Sequence, residues 1–178
     1  MTAYFRRQLA DYVEYHRDPR NCAAHVFGII TLFLAGILPL TLCPVSLIGI
    51  STTLAVVMAL PVLIYWLVLD AAVGLAIIAV AILLFWTAAM VVANVSVVGV
   101  WALAIVLAIA GVASQVVGHA VFERRKPSMA DHPAHFLLGP PFVMAKLFIA
   151  LGFRDDLAAI IGRPGEAAAG ASSYQGEL

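Results

Sequence analysis

Apolar residues fill the chain from Asn21 to Phe122 almost without interruption, and the only formally charged side chain in that stretch is Asp70. Such a run holds several segments of the roughly 20 residues needed to cross a bilayer, and its punctuation divides it. Asp18-Pro19 reads as an N-cap followed by proline at the first helical position, opening a span over residues 19–42 that Cys43-Pro44 breaks. A second span over 45–69 contains Pro61 and ends at Asp70, expected to be a helix terminus on the far side. The third covers 71–93, followed by the turn Asn94-Val95-Ser96, and the fourth covers 97–122. Connections of two or three residues force consecutive helices to be antiparallel neighbours. The predicted fold is therefore all-α: an integral membrane four-helix up-down bundle.

Polar positions extend this picture at both ends. Over residues 2–16, Tyr4, Phe5, Leu9, Tyr12, Val13 and His16 fall near one helical face, with Arg6, Arg7, Asp11 and Glu14 elsewhere. That pattern predicts an amphipathic helix at the membrane surface. After the fourth span, residues 133–153 are apolar but broken by Pro140-Pro141 and interrupted by Lys146. They read as a re-entrant or interfacial segment, because a fifth span would reverse the side of the C-terminus. Residues 1–161 form one membrane domain in this reading, and 162–178 carry too little apolar surface to order and form a disordered tail.

Composition supports the membrane assignment: of 178 residues 63% are hydrophobic and 11% charged, against roughly 25% charged in soluble domains. All ten Lys and Arg residues lie before the first apolar run or after the last. The positive-inside rule then places both termini in the cytoplasm with an even number of spans, in a bacterial inner membrane or the endoplasmic reticulum. Arg124-Arg125-Lys126 reads first as this topology signal or a contact to anionic lipid, and it also suits attraction of an acidic amphiphile. A net charge of zero gives no reason to expect nucleic acid. Cys22 and Cys43 have no paired spacing, so no disulfide is expected. The N-terminal stretch is too acidic for a signal peptide and reads as mature structure. A homo-oligomer is compatible with this architecture.

The five histidines, His16, His25, His119, His132 and His135, all fall at the cytoplasmic boundary in this topology. Asn21 and His25 share one helix face, and His16 approaches from the preceding segment. His119 and Glu123 stand about 40° apart around an ideal helix, with Gln115 a turn deeper. Imidazoles and a carboxylate converging from different helices suit a borderline transition metal such as Fe(II), Zn(II) or Mn(II). Against this, a lone interfacial histidine is usually a headgroup-level polar residue, and Glu123 can pair with Arg124 or Lys126 as a boundary charge.

The motifs Tyr12-x-x-Tyr15-His16, Pro19-x-Asn21-x-x-x-His25, Gln115-x-x-Gly118-His119-x-x-Phe122-Glu123-x-x-x-Pro127 and Leu138-Gly139-Pro140-Pro141-Phe142 resemble the 2-hydroxy fatty acid dioxygenase family of small membrane proteins. The resemblance covers residues 4–153. It implies Fe(II)-dependent α-oxidation, in which a long-chain 2-hydroxy fatty acid and O2 give CO2 and a fatty acid one carbon shorter. It carries over His16, Asn21, His25, Gln115, His119 and Glu123, but not His132 or His135. Two positions depart from the family pattern: Ser128 stands where alanine is usual, and Lys146 where glutamate is.

The resulting site expectation is a metal held by His16, His25, His119 and Glu123, with His135 and His132 as secondary candidates. Tyr12, Asn21, Gln115, Arg124, Arg125 and Lys126 are expected to support the ligands or the substrate. The substrate's tail would lie among membrane lipid and its polar head at the level of the histidines. The alternatives are a zinc-dependent lipid hydrolase using the same histidines, or a non-enzymatic lipid-binding membrane protein.

Overall fold

A computed structural model describes residues 1–124 and 132–162. Arg125, Lys126, Ser128 and the tail from 163 onward lie outside the described residues. The chain forms α1 (Ala3–Val13), α2 (Pro19–Thr41), a hairpin of β1 (Pro44–Leu47) and β2 (Ile50–Thr53), α3 (Leu54–Leu69), α4 (Ala71–Asn94) and α5 (Val97–Val117). A π-helical turn, Gly118–Glu123, continues α5. A 3-10 turn (Pro133–Leu137), α6 (Gly139–Ala150) and α7 (Asp155–Ile161) complete the order.

Local chemistry sets the starts of these helices. Thr2 accepts from Phe5 N–H at 3.1 Å, and Asp18 accepts from Arg20 N–H at 2.8 Å with Pro19 behind it. Asp70 caps α4 through Val73 N–H at 3.0 Å, and Ser96 caps α5 through Gly99 N–H at 3.2 Å. Each oxygen satisfies one of the donors that a helix N-terminus leaves unpaired.

Three helices are long and apolar enough to cross a membrane: Pro19–Thr41, Ala71–Asn94 and Val97–Glu123. They fit a membrane protein, and the fold is mostly helical. The second span predicted over 45–69 does not form as one helix. Its first third pairs as an antiparallel hairpin with Leu47 opposite Ile50, turned by Ile48 (φ 51) and Gly49 (φ 78), the two positive φ values that a two-residue hairpin turn favours. The remaining 16 residues make α3, about 24 Å long at 1.5 Å per residue, against a hydrocarbon core of about 30 Å. The four predicted spans therefore correspond to three spanning-length helices and the shorter apolar helix α3.

Asp70 also differs from its expected position. The hairpin and α3 return the chain to the end where α1 begins: Thr2 N–H donates to Leu69 O at 2.9 Å, and Arg154 pairs with the Asp70 carboxylate at 2.8 Å. Two traverses precede Asp70, so it shares an end with the N-terminal segment.

The helices that hold the site pack closely. α2 and α5 meet along Gly28 and Gly111, where a Cβ on Gly28 would lie 3.1 Å from Gly111 O and one on Gly111 would lie 2.6 Å from Leu32 Cγ. Small residues allow such backbone approach, and Ser114 Oγ donates across it to Ala24 O at 2.6 Å. At the site end, Phe5, Leu9 and Tyr12 of α1 join Trp66, Leu138, Phe142 and Leu157 in one buried cluster. The apolar face of α1, predicted to lie on the membrane, is thus packed against the C-terminal helices. A second cluster at the opposite end contains Ile37, Leu38, Ala88 and Val100.

Candidate metal centre

His16 lies in the short connection between α1 and α2, and His25 two turns into α2. Each is oriented by the carbonyl four residues before it: His16 Nδ1 donates to Tyr12 O at 2.9 Å, and His25 Nδ1 donates to Asn21 O at 3.0 Å. A carbonyl oxygen only accepts, so both rings carry their proton on Nδ1 when neutral, and both Nε2 atoms present lone pairs. Those two atoms face each other at 3.2 Å. Two lone pairs at that separation repel unless a cation lies between them. Two imidazole nitrogens at about 2.0–2.1 Å from one ion would stand about 2.8–3.4 Å apart at ordinary coordination angles, so the pair fits a shared ion.

The third ring arrives from the π-helical turn that ends α5. His119 lies 4.9 Å from His16 and 4.7 Å from His25, centroid to centroid, and is steeply inclined to both. One ligand atom from each of the three lies within 4.8 Å of the others. All three rings are buried, and His119 Nδ1 has no hydrogen-bond partner among the described residues. Burial pushes His16 down to about 3, outweighing the opposing effect of the Tyr12 carbonyl. Its ring is therefore held neutral, the form that ligates a metal. A site of three neutral imidazoles suits Fe(II), Zn(II) or Mn(II).

Glu123, predicted beside His119 as a ligand, commits one carboxylate oxygen to the start of α2. The turn Gly118–Glu123 is π-helical, so the 40° separation of an ideal α-helix does not apply. Its Oε1 accepts from Asp18 N–H at 2.8 Å and from Asn21 Nδ2 at 3.0 Å, at the positive N-terminal end of α2. It lies outside the converging group and ties the end of α5 to the start of α2. Gly118 makes room for this brace, since a Cβ there would stand 2.4 Å from Asn21 Oδ1.

The remaining predicted residues are distributed around the trio. Tyr12 stacks on His16 at 4.0 Å with an interplanar angle of 9°, and burial pushes its hydroxyl well above its usual value. Gln115 packs against Gly28, whose Cβ would lie 2.8 Å from its Nε2. Arg124 is exposed in the left-handed region at φ 52, where the π turn ends. His135 is buried edge-on to Tyr12 at 5.5 Å, with neither ring nitrogen partnered among the described residues, and exposed His132 lies 4.9 Å from it. Tyr12 thus contacts both His16 and His135, while His132 and His135 stay outside the trio.

Three neighbours were not among the predicted site residues. Phe142 lies 5.6 Å from His16, Cys22 Sγ donates to His16 O at 3.5 Å, and Lys146 Nζ donates to Cys22 Sγ at 2.9 Å. The sequence signal for Lys146 was its place as a lone charge in an apolar segment.

Comparison with known proteins bears on this geometry. The family described as 2-hydroxy-palmitic acid dioxygenase Mpo1-like matches residues 2–151. The chain is 30% identical over 159 residues, 88% of its own length and 86% of the relative's, to the 2-hydroxy-palmitic acid dioxygenase MPO1 of Saccharomyces cerevisiae. No solved structure matches.

Proposed function

Since the chain belongs to the Mpo1-like family, we propose that it is a membrane-embedded dioxygenase of long-chain 2-hydroxy fatty acids, with Fe(II) held by His16, His25 and His119. The reaction would convert a 2-hydroxy acid and O2 into the acid one carbon shorter, CO2 and water. The observation that carries the metal assignment is the facing Nε2 pair at 3.2 Å, whose rings are fixed in the ligating tautomer by the Tyr12 and Asn21 carbonyls.

When bound, Fe(II) supplies redox reactivity toward O2 and open positions for the substrate's hydroxyl and carboxylate. The chain's own residues supply orientation and exclusion of water. Tyr12 covers one face of His16, and Glu123 fixes Asn21, whose carbonyl orients His25. The apolar surfaces of the long helices offer the acyl tail a lipid-like environment while the polar head stays at the histidine level. Both termini are assigned to the cytoplasm on the distribution of Lys and Arg.

The test is incubation of purified protein with Fe(II), O2 and 2-hydroxypalmitic acid. Release of the acid one carbon shorter, with matching O2 consumption, is the expected result. Absence of O2 consumption with 2-hydroxy acids of every chain length tried would remove this reading. Tightly bound zinc with a hydrolysed lipid product would favour the hydrolase alternative.

A further inference from the structure

Lys146 is the only charged residue of α6. It is half-buried, its ammonium lies 2.9 Å from Cys22 Sγ and 4.9 Å from the centre of the Phe142 ring, and no ion pair among the described residues includes it. A thiol is a weak acceptor, so these contacts compensate poorly for removing an ammonium from water.

Both contacts lead to the histidine trio. Cys22 Sγ donates to His16 O at 3.5 Å, and the Phe142 ring lies 5.6 Å from His16. The trio consists of neutral donors, so a bound divalent ion would add positive charge. The nearest engaged carboxylate, Glu123, directs its Oε1 to Asp18 N–H and Asn21 Nδ2. Glu123 is one negative charge, so with a divalent ion bound and Lys146 alongside, the site would carry an excess of positive charge. A lysine's four-carbon stem rests on apolar surface while its head reaches a polar partner, and a carboxylate is a far stronger acceptor than sulfur.

We propose that Lys146 is the carboxylate anchor of the substrate and makes the site selective for free 2-hydroxy acids over their esters. This inference rests on the dioxygenase reading for the identity of the substrate. In the ligand-free protein the ammonium rests on Cys22 and Phe142, and on binding it turns to the carboxylate. An ester keeps the hydroxyl and the tail but has no charge to pair.

The test is equilibrium binding of radiolabelled 2-hydroxypalmitic acid and of its methyl ester to the full-length protein in detergent, with bound metal measured alongside. Wild type is expected to prefer the acid by about tenfold or more, the size of a charge-assisted hydrogen bond. Lys146→Met should lose that preference through weaker acid binding, with ester binding and metal content unchanged, and Lys146→Arg should keep most of it. Should Lys146→Met not accumulate as folded protein, Lys146→Gln carries the same comparison. An unchanged acid preference without the ammonium overturns the anchor. If Lys146-dependent binding occurs but wild type releases no shortened acid, the dioxygenase reading fails while the anchor stands. If wild type turns over and the Lys146→Met KM is unchanged, the reverse holds.

Discussion

His16 and His25 turn their Nε2 atoms toward each other at 3.2 Å, while each Nδ1 donates to the carbonyl four residues earlier. The backbone therefore fixes both tautomers before any ligand binds, and preorganisation of this kind is what a metal site requires of its surroundings.

Replacing one member of the trio tests that relationship directly. His16→Ala, His25→Ala and His119→Ala should each reduce bound metal well below one equivalent and lower turnover by about 100-fold or more, beyond what loss of an outer partner gives. Metal analysis of each purified variant, beside the rate, checks this. A variant that keeps full metal and full rate would exclude that histidine from the site.

Glu123 should behave as a brace. Its Oε1 holds Asp18 N–H and Asn21 Nδ2, so Glu123→Ala leaves two donors unmatched and should cost about 2 kcal/mol of stability. Glu123→Gln keeps an acceptor oxygen and should recover more than half of that, with metal stoichiometry near wild type. If Glu123→Gln instead loses its metal while remaining folded, the carboxylate is a ligand after all.

How much of this was legible in the sequence depends on the range over which each feature is encoded. The cap at Asp18 and the turn Asn94-Val95-Ser96 are local and readable, and the histidines stood out because they flank apolar runs. The hairpin was hidden because Val45 to Thr53 reads as apolar continuation, and its turn uses Ile48 at φ 51 in place of the Asn or Gly that usually marks such a turn. The roles of Glu123 and Lys146 were obscured because both depend on long-range contacts: Glu123 bonds residues 105 and 102 positions away, and the Lys146 contact to Cys22 joins positions 124 apart.

Glycine substitutions separate close packing from mere flexibility. A Cβ on Gly118 would meet Asn21 Oδ1 at 2.4 Å, whereas one on Gly36 would meet nothing within 4 Å. Gly118→Ala should displace Asn21, disturb the Glu123 brace and destabilise by about 1–3 kcal/mol. Gly36→Ala, in the middle of α2, should be neutral or stabilising by up to about 1 kcal/mol, through helix propensity. Thermal unfolding of both variants in one detergent tests the contrast, and equal effects would show that the Asn21 contact is unimportant.

The Asp70 and Arg154 pair gives stability a defined dependence on acid. Burial by itself raises the Asp70 pKa, but the Arg154 guanidinium, Val73 N–H and the N-terminal ammonium outweigh it and hold the carboxyl well below its usual range. The folded protein thus releases this proton more readily than the unfolded chain, whose aspartate titrates near about 3.9. The pair's contribution is fully present above that value and is lost as pH falls toward the lower folded pKa. Asp70→Asn should cost about 2–3 kcal/mol at neutral pH, less than fully orphaning a buried ion, because Arg154 keeps Asp156 at 2.7 Å. Denaturant unfolding of both proteins between pH 7 and about pH 2, below the free aspartate range, should show a constant gap that narrows only below about pH 4. A gap that stays constant or widens on acidification would mean that the ionised Asp70 carboxylate is not what ties α7 to the start of α4.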